Sequence, residues 1–307
     1  MASQPIRSIL FRRDFRGLTG GHLKVWDYFC HARTSAGFLP QVFLEPGSER
    51  REDNPWVGME PPPLAYWRPR DADVLFVAGL DWLAVPEPID VPVINLIQGV
   101  RHADPADPRR AFLARPATRI CVSAEVADAI ASTGLVRGPV HVIPNGIEVG
   151  VRPRPGAGRD IPVLIAGAKN PSLAVELASR LGSVGIRSEC LRDRVPRGMF
   201  LELLARAEVA VTLPLHREGF FLPALEAMML GAIVVCPDCV GNRGFCRDAV
   251  NAFVPPYGLD SIVAAVRTAL AMGPVDSGRM LHAASATCAA HSIERERAAF
   301  LAILDAM

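Results

Sequence analysis

Along this chain, short continuous runs of Val, Ile and Leu alternate with longer stretches whose apolar residues recur at helical spacing. Runs of the first kind, bounded by turn residues, suit strands buried on both faces. Their alternation with amphipathic helices suits parallel sheets covered on both sides. In the first half the pattern predicts strands at 8–11, 41–44, 74–77, 93–96, 119–122 and 140–143, with helices at 22–36, 109–113 and 124–132. In the second half it predicts strands at 162–166, 187–190, 209–213, 233–236 and 252–254, with helices at 173–181, 198–206, 222–230 and 261–271. Residues 291–307 read as a terminal helix. The stretch 45–69 is rich in Pro, Gly and charge, and predicts an irregular loop with little packed structure of its own.

The segment Gly150-Val-Arg-Pro-Arg-Pro-Gly-Ala-Gly-Arg159 has the composition of an exposed hinge. It divides the chain into a domain over 1–150, a second over 151–290 and the terminal segment 291–307. A chain of 307 residues that is 50% hydrophobic can bury two such cores. The two halves share an α/β architecture, and no short-period repeat is visible. The expected fold is a pair of Rossmann-like domains.

Charge and cysteine usage narrow the function classes. The 33 basic and 32 acidic residues leave a net charge of +1, and no basic block appears, so a nucleic-acid partner has no support. The 7 cysteines are odd in number and scattered, in a chain without a signal-type start or a long apolar run. That pattern reads as a soluble, cytoplasmic protein with reduced thiols. Peripheral membrane contact stays open, although no strongly basic amphipathic helix argues for it. Cys236-Pro-Asp-Cys239 is a lone pair, which suits core cysteines better than a zinc site, and no metal is expected.

The densest chemistry lies in Glu218-Gly-Phe-Phe-Leu-Pro-Ala-Leu-Glu226, directly after the strand at 209–213. Glu218 falls in a turn and Glu226 in the first turns of a helix with Pro223 near its start, where a missing N–H costs nothing. The backbone N–H groups of Phe220, Phe221 and Leu222 are expected to point outward beside the positive end of the helix dipole, with Gly219 giving them room. Such a mouth suits an anionic or polyhydroxyl ligand. Glu226 can accept from both hydroxyls of a ribose diol, and Glu218 can hold a sugar hydroxyl or face a cationic transition state. The plainer alternative is two solvated glutamates flanking a buried helix.

The segment from Leu213 to Gly231 resembles the core signature of the retaining glycosyltransferases of family 4, which have the GT-B architecture of two Rossmann-like domains facing each other across a cleft. His141-Val-Ile-Pro-Asn-Gly-Ile-Glu148 resembles that family's Pro-Asn-Gly segment closing the first domain, and Gly20-Gly21 resembles its glycine loop after the first strand. The resemblance implies that Glu226 binds the nucleotide ribose and that the turn amides contact the donor sugar. It further implies a donor side on the second domain, an acceptor side on the first, and a terminal helix packed back on the first domain. In the glycine loop, Gly20 and Gly21 allow a diphosphate or sugar to approach the backbone closely.

A diphosphate leaving group needs a cation. Lys169, just after the strand at 162–166, is one of only two lysines, with Lys24, in an otherwise arginine-based chain. The family places an Arg as well as a Lys in this loop; here Ala168 falls near the Arg position, leaving Arg243 and Arg16 as alternative partners. Asn242 and Arg243 sit in a glycine-containing loop after 233–236, placed to contact phosphate or sugar. His102 follows the strand at 93–96, where the family uses a His on the donor sugar. Phe221 stands where the family commonly has a second glycine, and its ring is expected to narrow the sugar pocket. Asp71-Ala-Asp73 resembles the metal motif of the other glycosyltransferase architecture, but immediately precedes a buried strand.

The expected activity is retaining, metal-independent transfer of a sugar from a nucleotide-diphosphate sugar to a hydroxyl acceptor. The acceptor class, whether glycan, lipid-linked or small molecule, is open, as are the base, the sugar and the oligomeric state. No cofactor is expected beyond the donor substrate. Glu218, Lys169 and His102 are the candidate catalytic residues. The alternatives are a non-catalytic GT-B protein binding a sugar or a partner, and a sugar-nucleotide epimerase.

Overall fold

A computed structural model describes residues 5–150 and 158–307. Most of the expected hinge, residues 151–157, lies outside the described residues. The chain forms two α/β units, one running to Asn145 and including Glu294–Met307, the other Gly146–Ile293.

The first unit is built on β1 (Arg7–Arg13), β2 (Phe38–Leu44), β3 (Val74–Ala78), β4 (Val93–Ile97), β5 (Thr118–Cys121) and β6 (Val140–Val142). These form one parallel sheet in the order β2-β1-β3-β4-β5-β6. β3 and β4 are buried along their whole length; β3 is apolar throughout, and the one polar residue of β4, Asn95, donates to Val77 O at 3.2 Å. α1 (Gly20–Ala32) and α2 (Ala124–Ala131) are capped by Thr19 and Ser123. Residues expected as a helix at 109–113 form part of a 3-10 segment, Pro108–Ala114.

The stretch 45–69 is packed more firmly than its composition suggests. Trp56 is fully buried, with its ring edge-on to Trp26 at 4.9 Å and to Phe29 at 5.1 Å. Asn54 anchors it, donating to Glu49 O at 2.7 Å and accepting from the Trp56 amide at 3.0 Å. Asp73, expected to be no metal ligand, accepts from the amide and hydroxyl of Ser8, tying the start of β1 to that of β3.

The second unit carries β7 (Ile161–Ala166), β8 (Glu189–Leu191), β9 (Ala207–Thr212) and β10 (Ile233–Val235), parallel in the order β10-β9-β7-β8. Its helices are α3 (Pro171–Ser183), α4 (Arg197–Arg206), α5 (Leu222–Met229), α6 (Leu259–Leu270) and α7 (Pro274–Ala290). The expected strand at 252–254 forms only isolated bridges, Phe253 with Val235 and Ala252 with Asp248. α7 is not among the expected helices, because its buried stripe of Met280, Ala284 and Cys288 is mostly small residues and gives a faint period. Arg159 donates to the carbonyls of Ala205 and Ala207 and to Leu230 O, closing the C-terminal ends of α4 and α5.

The terminal helix α8 (Ile293–Asp305) belongs almost wholly to the first unit. Phe300 meets Tyr28 edge-on at 4.9 Å, and the fully buried Glu296 receives Lys24 Nζ at 2.7 Å and His31 Nε2 at 3.0 Å. Lys24 is 1% exposed and also meets Asp27 at 2.8 Å, so removing Glu296 leaves a buried cation one carboxylate short and takes the buried partner of His31. Glu296→Ala is expected to destabilise this unit by about 3–5 kcal/mol. All 4 tryptophans (Trp26, Trp56, Trp67 and Trp82) lie in the first unit, so denaturant unfolding followed by their fluorescence reads the effect directly.

Candidate functional site

In an open parallel sheet, ligands bind outside the carboxyl ends of the strands at the point where the chain order reverses. In the second unit that point lies between β7 and β9, where Ala166 pairs with Thr212. The loops that follow therefore emerge side by side, bringing Lys169 to Glu218. Lys169 Nζ lies 2.6 Å from Glu218 Oε1, which also accepts from the Leu215 amide at 3.3 Å. The pair is accessible: Lys169 keeps 39% of its side chain exposed and Glu218 keeps 15%.

Lys169 stands immediately before Asn170, which caps α3 by accepting from the Leu173 amide, with Pro171 at the helix start. A cation and a helix N-terminus thus coincide at one point, an arrangement that favours an anion. Gly167 makes this possible, since a Cβ there would lie 2.1 Å from the Ala174 Cβ. Tyr257, a residue with no local sequence signal, bridges the two loops. Its hydroxyl donates to Pro214 O at 2.5 Å and accepts from Asn170 Nδ2 at 3.2 Å, and its ring lies 4.3 Å from that of His216.

The turn before α5 differs in two ways from expectation. The Phe221 amide is committed to Gly241 O at 2.9 Å, so it is not one of the outward donors expected of this turn. The Phe221 ring is 2% exposed and enters the core with Leu222 and Leu225; Lys169 Nζ sits 5.3 Å from its centroid. The ring thus lies beneath the lysine and does not narrow a pocket. Phe220 is only partly buried and stacks on Phe245 at 5.1 Å. Gly241 is held against this turn so closely that a Cβ would come within 3.0 Å of the Phe220 and Phe221 nitrogens and 2.9 Å of the Glu218 Cβ. Gly219 begins the turn between Glu218 and these amides.

Glu226 is 2% exposed and accepts from Arg197 Nη1 at 2.7 Å. Arg197, at the start of α4, carries no motif, and only the fold reveals it as a partner of Glu226. Asn242 is fully buried, donating to Pro237 O and Cys236 Sγ and accepting from the Cys239 amide. Its amide group is spent on the turn, which corrects the expectation that it contacts a ligand. Arg243 forms an exposed fork with Asp238, at 2.9 and 2.6 Å, so it is already engaged by a carboxylate. Arg16 is likewise paired, its Nε 2.8 Å from Asp14. All 7 cysteines are free thiols, Cys236 and Cys239 among the buried ones.

In the first unit the corresponding reversal lies between β1 and β3. Gly20 and Gly21 form the first turn of α1, and Thr19 takes the His22 amide, so the two glycine amides stand at the helix mouth. Behind them, Arg13 reaches Asp81 at 2.9 Å and His22 Nδ1 at 2.8 Å. His102, 4% exposed, has its Nδ1 2.9 Å from Gly99 O, which fixes the proton on that nitrogen and leaves Nε2 a buried acceptor without a partner.

Residues 150–272 match the sequence profile of the family described as Glycosyl transferases group 1. Among solved structures, the fold resembles sucrose-phosphate synthase from Thermosynechococcus elongatus, with TM-score 0.72 and 13% identity over 97% of this chain and 98% of that one. Anabaena HepE in complex with UDP and glucose aligns with TM-score 0.71 and 14% identity, over 98% and 100%. A glycosyltransferase from Rickettsia africae aligns with TM-score 0.67 and 10% identity, over 97% of each. Both units thus have the α/β build of GT-B glycosyltransferases. A search of curated proteins finds no match.

Burial lowers the His102 pKa to about 4. Between that value and the unfolded value near 6.5 the unfolded chain binds the extra proton. The stability this histidine contributes is therefore fully present above about pH 6.5 and is lost as pH falls through about 4. Imidazole nitrogen NMR is expected to show His102 neutral and protonated on Nδ1 from pH 8 down to about pH 5; an imidazolium signal at pH 6 would contradict this.

Proposed function

We propose that this chain, whose residues 150–272 match the group 1 glycosyl transferases, moves a sugar from a nucleotide-diphosphate donor to a hydroxyl acceptor with retention of anomeric configuration and without a metal. The observation that carries the reading is the accessible Lys169–Glu218 pair at the N-terminal end of α3, beside the α5 turn and the buried Glu226. The diphosphate takes the place of Glu218 as the partner of Lys169, supported by the positive end of the α3 dipole. Glu226 accepts from the ribose hydroxyls, and the freed Glu218 turns to the donor sugar.

Sugar C1–O bond cleavage sends its electron pair to the diphosphate, where Lys169 and the positive end of the α3 dipole oppose the growing charge. The acceptor oxygen bonds to C1 on the face the diphosphate is leaving, and a departing phosphate oxygen takes its proton. No side-chain base is then needed, and positioning does most of the work. The first unit takes the acceptor, and the Gly20 and Gly21 amides at the mouth of α1 let a diphosphate or sugar approach the backbone. No cofactor enters beyond the donor.

A thermal-shift screen of UDP, GDP, dTDP and ADP sugars tests the reading, because a ligand bound to the native state raises its melting temperature by mass action. UDP comes first, since HepE was captured with it. No shift and no turnover with any of them would favour a non-catalytic role for the fold.

Two variants separate the parts. Lys169→Ala is expected to lower turnover by about 10²-fold or more. Its melting temperature should barely move, because a half-exposed ion pair contributes at most about 1 kcal/mol. Glu218→Gln releases Lys169 from its resting partner, so free nucleoside diphosphate should bind more tightly while sugar transfer falls. Calorimetry showing weaker diphosphate binding in Glu218→Gln would remove the exchange of partners from the mechanism.

A further inference from the structure

Arg197 lies 29 residues before Glu226 on a different helix, and its Nη1 donates to Glu226 Oε1 at 2.7 Å. The two side chains differ sharply in setting: Glu226 is 2% exposed, whereas Arg197 keeps 29% of its side chain exposed. The carboxylate is therefore held on two sides. α5 fixes its backbone in a packed core that includes Leu225, Ala227 and Met228, and the guanidinium takes one of its oxygens from α4. A carboxylate offers about four lone-pair sites, so the other oxygen and a second site on Oε1 stay open to a ligand.

We propose that Arg197 is a positioning residue for Glu226, and that the pair makes this unit select ribonucleotide over 2′-deoxyribonucleotide diphosphates as the carrier of the donor sugar. The proposal rests on the nucleotide-sugar reading above. Two vicinal hydroxyls match two oxygens only if the carboxylate cannot turn. A 2′-deoxyribose fills one of them and leaves the other desolvated without a donor. Sites built around a substrate hydroxyl reject the analogue lacking it, because the buried polar group is then unpaired. Without Arg197 the carboxylate can rotate, and that penalty disappears. The substrate class that follows is a sugar on UDP, GDP or ADP, with dTDP sugars discriminated against.

The test is calorimetry of UDP, GDP and ADP, each beside its 2′-deoxy form, on the full chain and on Arg197→Gln and Arg197→Lys. The native chain is expected to prefer the ribonucleotide by about 10- to 100-fold, the range set by one hydrogen bond to a charged group. In Arg197→Gln that ratio should fall to within about twofold, chiefly because the 2′-deoxynucleotide binds more tightly once its penalty is lifted, and Arg197→Lys should restore most of it. Arg197→Gln keeping the ratio, or weakening both forms equally, overturns the proposal while leaving the nucleotide site standing. Equal binding of both forms by the native chain sinks the ribose role of Glu226 itself, and binding of none sinks the donor-site reading.

If Arg197→Gln fails to fold, the comparison moves to a background without a buried carboxylate. Adding Arg197→Gln to Glu226→Gln should then change ribonucleotide affinity by less than about twofold, because a residue acting only through Glu226 has nothing left to position. A larger loss would mean that Arg197 touches the nucleotide itself, which also overturns the positioning role.

Discussion

The pairing of β7 with β9 is the constraint on which the candidate site depends. These strands are separated in sequence by α3, β8 and α4, yet Ala166 lies opposite Thr212, so their loops leave the sheet at the same level. Lys169 and Glu218 meet for that reason and no other. The rest of the local structure supports the meeting: Gly167 lets α3 approach, Tyr257 joins the two loops, and Gly241 presses on the turn from the loop after β10. A change that shifted the register of β7 against β9 would therefore abolish the site before it touched any side chain in it.

The only two lysines of the chain show how setting divides the same chemistry into different roles. Lys24 is 1% exposed and held by both Asp27 and Glu296, with His31 on the second carboxylate. Nothing from solvent can replace those partners, and the group serves as a clasp between α1 and α8. Lys169 has one carboxylate partner and keeps more than a third of its side chain in contact with water. A phosphate arriving there exchanges one anionic partner for another, at little desolvation cost. Exchangeability, more than the presence of an ion pair, is what the proposed role of Lys169 rests on.

Local signals made much of this legible in the sequence. Nine of the ten strands among the described residues overlap an expected run of apolar residues closely, and β8 is displaced by only a short distance, because most of these parallel strands are buried and carry their own signature. The glutamates, the Pro-Asn-Gly segment and Lys169 were likewise visible as residues beside turns. What escaped depends on partners far away in sequence. Trp56 looks like a loop residue until Trp26 and Phe29 pack around it, and Asn242 looks like a ligand contact until Pro237 and Cys236 take its amide. Arg197 has no motif at all; its meaning comes from the packing of α4 beside α5.

Phe221 illustrates how such a departure redistributes work within a site. A glycine at that position would leave the turn open; the phenylalanine instead sinks its ring into the core, and its amide bonds to Gly241. The turn becomes more rigid and has fewer free amides. On the proposed reading, stabilising the departing diphosphate then falls more heavily on Lys169 and on the N-terminal end of α3. The ring itself contributes, since the ammonium sits over its face at 5.3 Å, a cation–π contact that needs no second anion to hold the lysine in place. With Lys169 held from below, Glu218 is free to leave it without letting the cation drift into solvent.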